Sequence, residues 1–161
     1  MTTVSEERDA AATPAALWRV VSDTRRWPDF YATPGEAGHL RAVEYLEGAS
    51  ADGPGVARRL HFTGLPSWDE RVARWAPGEA VAWEGVRTPG QRRWAQHFEI
   101  IPGRGFATLR WEVRYDLKAP RVARRPFRRA LEDLVVASLA RVERLALEEP
   151  GSPIWAVPRE L

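Results

Sequence analysis

The sequence of 161 residues contains no cysteine. That excludes a disulfide framework, a thiol nucleophile and every thiolate metal site. Lysine is nearly absent: Lys118 stands alone, and arginine carries the rest of the basic charge. Long apolar runs are missing too. The longest stretches free of Asp, Glu, Lys and Arg are nine residues, as at Ala10–Trp18, whereas a membrane span needs about twenty. The N-terminus, Met-Thr-Thr-Val-Ser-Glu-Glu, lacks the basic-then-apolar order of a secretory signal, so a cytoplasmic protein is expected. His39, His61 and His97 lie far apart without metal spacing, and no metal is expected. No Gly-rich loop matches a phosphate or dinucleotide site, so no cofactor is expected either. Ser22, Ser67 and Ser138 lack the context of an activated nucleophile.

What is present points to one folded domain. The length suits a single compact unit that buries roughly 70% of its unfolded surface. Apolar residues make up 44% and charged residues 29%, which excludes wholesale disorder. Tryptophan occurs eight times, well above ordinary usage. The formal charge is only +2 because acids and bases are interleaved, which argues against nucleic acid as the partner.

Along the chain, Val4–Ala10 reads as a short strand. Thr13-Pro14 is a helix start, with Thr as N-cap and Pro at the first helical position. Asp23 or Thr24 can cap a second short helix through Trp27-Pro28-Asp29-Phe30-Tyr31, ended by Thr33-Pro34-Gly35. From Gly38 to Ala119 turn signals recur between runs rich in aromatic and β-branched residues, the pattern of an antiparallel meander. Leu109, Trp111, Val113 and Tyr115 alternate with charged residues, as do Trp94, Gln96, Phe98 and Ile100 less cleanly. A long helix is expected from about Val122 to Glu148, with Phe127, Leu131, Leu134, Ser138, Val142 and Leu145 on one stripe. Pro126 marks either its true start or a kink. The domain is expected to cover 1–149, followed by a Pro-rich tail, 150–161, whose Ile154 and Trp155 can dock on the surface or a partner.

One strand, two short helices, six antiparallel strands and one long helix is the order of the helix-grip fold. The sequence resembles the START-like, or SRPBCC (Bet v 1-like), superfamily, nearer its polyketide cyclase/dehydratase branch. The residues that carry the likeness are Ala12-Thr13-Pro14, Leu17-Trp18, Val21-Ser22-Asp23 and Trp27-Pro28-Asp29-Phe30. Gly53-Pro54-Gly55, Trp68-Asp69-Glu70-Arg71-Val72, Gly105–Trp111 and the last helix complete the set. The resemblance covers about residues 3–147 and implies an α+β fold: a curved antiparallel sheet of about seven strands wrapped around the long C-terminal helix. It also implies a cavity between sheet and helix that takes hydrophobic or aromatic small molecules. Some members cyclise and dehydrate polyketide chains; others carry lipids or quinones. The aromatase/cyclase members have a Trp followed on the same strand face by a small polar residue and an arginine. Trp68 matches, but the next inward positions are Glu70 and Val72, so that arginine is missing.

Strand phase places Phe62, Trp68, Trp83, Trp94, Phe98, Trp111 and Tyr115 toward the helix, facing Leu131 and Leu134. Tyr45 and Tyr31 are placed near the mouth. A bulge in any strand would invert the assignment beyond it. Three polar residues share the apolar face: Glu70, Arg58 and Gln96. A carboxylate in an aromatic pocket can shuttle protons near neutral pH, an arginine can hold a developing oxyanion, and an amide can orient a carbonyl. The plain alternative is a structural Glu–Arg pair. Arg121, Arg124, Arg125, Arg128 and Arg129 form a basic run at the start of the long helix, where positive charge is unfavourable. A solvated face is one reading; an acidic acyl carrier protein is the sharper one. Three functions stay open: a polyketide cyclase/dehydratase working by acid–base catalysis, a non-catalytic carrier of a hydrophobic ligand, and an RNA- or protein-interaction module. A monomer and a homodimer are both compatible with the sequence.

Overall fold

The computed structural model describes residues 1–33, 35 and 38–151. Seven strands form one antiparallel sheet in the order β1-β7-β6-β5-β4-β3-β2. They are β1 (Thr2–Ala10), β2 (Leu40–Tyr45), β3 (Ala57–Phe62), β4 (Trp68–Ala76), β5 (Ala80–Arg87), β6 (Gln91–Pro102) and β7 (Ala107–Leu117). Helices α1 (Pro14–Val21) and α2 (Trp27–Phe30) follow β1, and α3 (Arg121–Leu147) closes the chain against the sheet. Ile154 and Trp155, with the docking expected of them, lie outside the described residues, as does Pro34.

Local chemistry explains the elements. Thr13 is extended and its hydroxyl accepts from the Ala16 N–H at 3.3 Å, with Pro14 pre-set behind it, so α1 begins there. Asp23 accepts from the Arg25 N–H and caps a 3-10 turn, Thr24–Arg26, that runs straight into α2. α3 passes through Pro126 without breaking. The ring removes only the hydrogen bond to the Val122 carbonyl, and Val122 stands in water. The buried stripe of α3 includes Leu131, Leu134, Ser138 and Val142 as the periodicity predicts, with Phe127 and Leu145 partly buried at its edges. The buried Ser138 hydroxyl is satisfied by the Ala32 N–H at 2.9 Å. Glu143 pins the far half of α3 to β1 and the residue that follows it, accepting from Arg8 and from the Ala11 N–H.

The alternation in β6 and β7 holds, and Trp94, Gln96, Phe98, Leu109, Trp111, Val113 and Tyr115 are all buried. β4 departs from simple alternation. Register shifts between Asp69 and Glu70, and again between Val72 and Arg74. Beyond the second shift Trp75 packs on the core, its ring 5.1 Å from Trp18 of α1. The extra residue rotates the strand by one position, as a bulge does.

Candidate functional site

Arg58 and Glu70 are direct partners across β3 and β4. Both side chains are closed off from solvent, at 1% and 0% exposure. Glu70 Oε2 accepts from Arg58 Nη2 at 2.9 Å and Nε at 3.2 Å. Glu70 Oε1 accepts from Trp94 Nε1 at 2.9 Å and Gln96 Nε2 at 2.7 Å. A carboxylate offers about four acceptor positions, and each oxygen here receives two donors. The guanidinium lies between two indoles, 3.9 Å from the Trp27 centroid and 4.1 Å from that of Trp83. Its remaining Nη1 donates to Thr24 Oγ1 at 3.2 Å. Thr24 hands the chain on to Asp52, which also accepts from the Tyr45 hydroxyl at 2.8 Å. Burial pushes the Arg58 guanidinium down from its ordinary value, and the Glu70 carboxylate opposes that shift. The sequence brings Glu70, Arg58 and Gln96 together, as expected, but in a closed network. A general base needs a lone pair turned to substrate; those of Glu70 are turned to protein.

The open space lies beside this network. A pocket of about 220 Å³ sits between the sheet and α3. Phe62, Trp68 and Trp94 make its wall, with Trp68 and Trp94 edge to face at 4.6 Å. Phe127, Leu131 and Leu134 of α3 make its roof. Tyr31 enters from the end of α2, while Gly38 and Leu65 lie on the loops at the rim. Five residues named from strand and helix phase therefore line it: Phe62, Trp68, Trp94, Leu131 and Leu134.

Trp83, Phe98 and Trp111 do not. Trp27 fills the space they would have walled, its ring 4.9 Å from Trp83, 5.7 Å from Phe98 and 6.0 Å from Trp111. Phe98 and Trp111 stack at 4.6 Å. The middle of the grip is thus solid aromatic core, and the cavity is confined to one end. Tyr115 packs on Phe127 at 5.1 Å and lines a separate recess with Arg124, Arg125 and Arg128. Tyr45 is held at Asp52, away from the pocket. Val72 points inward at the position of the missing arginine.

Two described lining residues carry a hydroxyl: Thr33, which donates to the Gly35 carbonyl at 2.9 Å, and Tyr31. The Tyr31 side chain is buried, and its hydroxyl has no hydrogen-bond partner among the described residues. Burial pushes the phenol above its ordinary range, and the Glu70 charge pushes the same way while Arg58 opposes. It is therefore a neutral donor over the working pH range. The sequence placed Tyr31 near the mouth, but strand alternation could not give its orientation, because it follows a helix of four residues.

The other titratable candidates lie elsewhere. His61 binds Glu44 and Ser67. His97 is half-buried on the outer face of the sheet, where burial pushes its imidazole down. Among the described residues no group of three His, Asp or Glu side chains is placed to hold a metal ion. Nor is any helix among them long and apolar enough to cross a membrane. The basic run on α3 is exposed; Arg128 pairs with Glu132 at 2.8 Å.

The structure is similar to several solved ones. The Zhui aromatase/cyclase of Streptomyces sp. R1128 superposes with a TM-score of 0.72 at 18% identity, over 95% of this chain and 99% of that one. The di-domain aromatase/cyclase StfQ of the steffimycin pathway gives 0.74 at 14%, covering 93% of this chain and 52% of its own two-domain length. Ara h 8.0201 gives 0.70 at 13%, over 92% and 99%. At these identities the likeness shows the fold, a Bet v 1-like helix grip. No curated protein matches the sequence. The family model described as polyketide cyclase / dehydrase and lipid transport matches residues 1–146. Matched from its first strand through nearly all of α3, this chain belongs to the polyketide cyclase / dehydrase and lipid transport family.

Proposed function

We propose that this chain binds a small, flat, hydrophobic molecule in the pocket under α3, and that binding rather than proton transfer by Glu70 is its primary activity. The observation that carries this reading is the pairing of an aromatic wall with a hydroxyl, that of Tyr31, that no described residue engages. Trp68, Trp94 and Phe62 offer flat apolar faces to a ring system, and Leu131 and Leu134 cover it. A volume of about 220 Å³ suits one or two fused rings. A carbonyl on such a guest can accept from Tyr31.

Family membership favours a second, catalytic reading, but with altered roles. Tyr31 is placed to polarise a ketone or protonate a leaving hydroxyl, while Glu70 and Arg58 hold the wall. Aldol closure also needs a base, and the described lining residues include no carboxylate and no imidazole. Titration with 1-acetylnaphthalene, followed by tryptophan fluorescence, tests the binding reading. Saturable quenching by the wild type, lost in Leu134→Trp, supports it. Quenching that survives Leu134→Trp, or none at all, removes it.

A further inference from the structure

The pocket opens at the end of the sheet where β4 and β6 begin, β3, β5 and β7 end, and α3 starts. Pairings of Thr2 with Tyr115, Gln91 with Leu117 and Asp69 with Arg87 set these strand ends level. The Lys118 N–H donates to the Gly90 carbonyl at 2.9 Å, and the Gly38 N–H donates to the Thr63 carbonyl at 2.8 Å, which ties the loops there. Two features concentrate at this end. First, Arg121, Arg124, Arg125 and Arg129 are exposed and make no ion pair with any described residue; the same holds for Arg93 and Lys118. The first turn of α3 adds no acidic residue and no capping side chain, so the positive helix end reinforces the field. Second, of the six exposed large apolar side chains among the described residues, four stand here on separate segments: Met1 at 73%, Leu65 at 52%, Val86 at 61% and Val122 at 83% exposure.

We propose that this end is a docking face for an anionic lipid bilayer, through which the pocket loads and releases its guest. A protein interface needs a contiguous apolar core of matching shape. Four apolar tips on four segments, ringed by arginines, do not supply one. A bilayer takes such tips one by one into its interface while the guanidiniums meet anionic headgroups. The acidic carrier protein expected from the basic run would use the charges but not the tips. A hydrophobic guest that enters from lipid also avoids crossing water. The exchange route rests on the ligand-binding reading; the docking does not.

Co-sedimentation of the full chain with vesicles tests it. Phosphatidylcholine vesicles containing about a third phosphatidylglycerol should pellet the protein, and pure phosphatidylcholine should not. Arg121→Gln/Arg124→Gln/Arg125→Gln/Arg129→Gln should weaken binding about a hundredfold or more, with circular dichroism and melting unchanged. Val86→Ser/Val122→Ser should weaken it at constant charge, and Leu134→Trp should leave it intact. Retention in the supernatant with anionic vesicles overturns the proposal and leaves an acidic protein as the occupant of this face. Equal binding to both vesicle types, or wild-type binding by either surface variant, also overturns it. Absence of acetylnaphthalene binding by the wild type, with its vesicle binding kept, would instead remove the ligand reading alone.

Discussion

The Trp94 indole donates to Glu70 Oε1 at 2.9 Å, so one wall of the pocket hangs from a buried ion pair. Glu70 in turn holds Arg58, which is clasped by Trp27 and Trp83. The carboxylate is a fixture that orients aromatic surface on both sides of itself.

Glu70→Gln should therefore act on stability first. It leaves the Arg58 charge buried and uncompensated, a change that typically costs about 3–5 kcal/mol. Replacing both members, Arg58→Met with Glu70→Leu, should recover most of that loss, because the buried charge is removed as a pair. Denaturant unfolding of the three proteins checks this; a Glu70→Gln protein as stable as wild type would contradict it.

Tyr31→Phe should leave stability nearly unchanged, since the hydroxyl has no partner among the described residues to lose. Affinity for 1-acetylnaphthalene should fall about 3- to 10-fold, the worth of one neutral hydrogen bond. Naphthalene, which lacks an acceptor, should bind both proteins alike. Parallel fluorescence titrations decide it.

Trp27→Ala should be among the most damaging single changes. Trp27 is fully buried and touches Phe30, Trp83, Phe98 and Trp111. Truncating a buried Trp costs about 3–5 kcal/mol, and here it also uncovers one face of Arg58. A melting curve that shifts by only a degree or so would contradict the keystone role.

Acid stability should depend on Asp69. Hydrogen bonds from Arg59 hold its carboxyl below its ordinary range, Arg87 adds to the shift, and burial opposes it. The folded pKa is depressed, so the stabilisation is fully present above the unfolded value of about 3.9. It is lost as pH falls through the lower folded value. Asp69→Asn should lower the melting temperature at neutral pH and flatten its decline below about pH 4. Calorimetry across that range measures both.

The sequence made the fold legible where local chemistry and period coincide. Thr13-Pro14 announces α1, and the spacing of Leu131, Leu134, Ser138 and Val142 sets the buried face of α3. Alternation correctly turned Trp83, Phe98 and Trp111 inward, but it reports a face and not a depth. Whether an inward side chain meets a guest or another side chain depends on what the opposite layer inserts, and here α2 inserts Trp27. In β4 the phase of Trp68, Glu70 and Val72, continued, would turn Arg74 inward and Trp75 outward; that misfit was the one trace of the bulge that brings Trp75 onto the core. Tyr31 lies just past a one-turn helix, too short for a period to fix the direction of its hydroxyl.

The bond between Ser138 and the Ala32 amide ties the end of α2 to the long helix. Ala32 follows Tyr31 directly in the chain, while the Tyr31 ring itself packs on Phe62 and Trp111 of the sheet. Roof and wall therefore both fix where that phenol stands, and a change in either layer is felt at its hydroxyl.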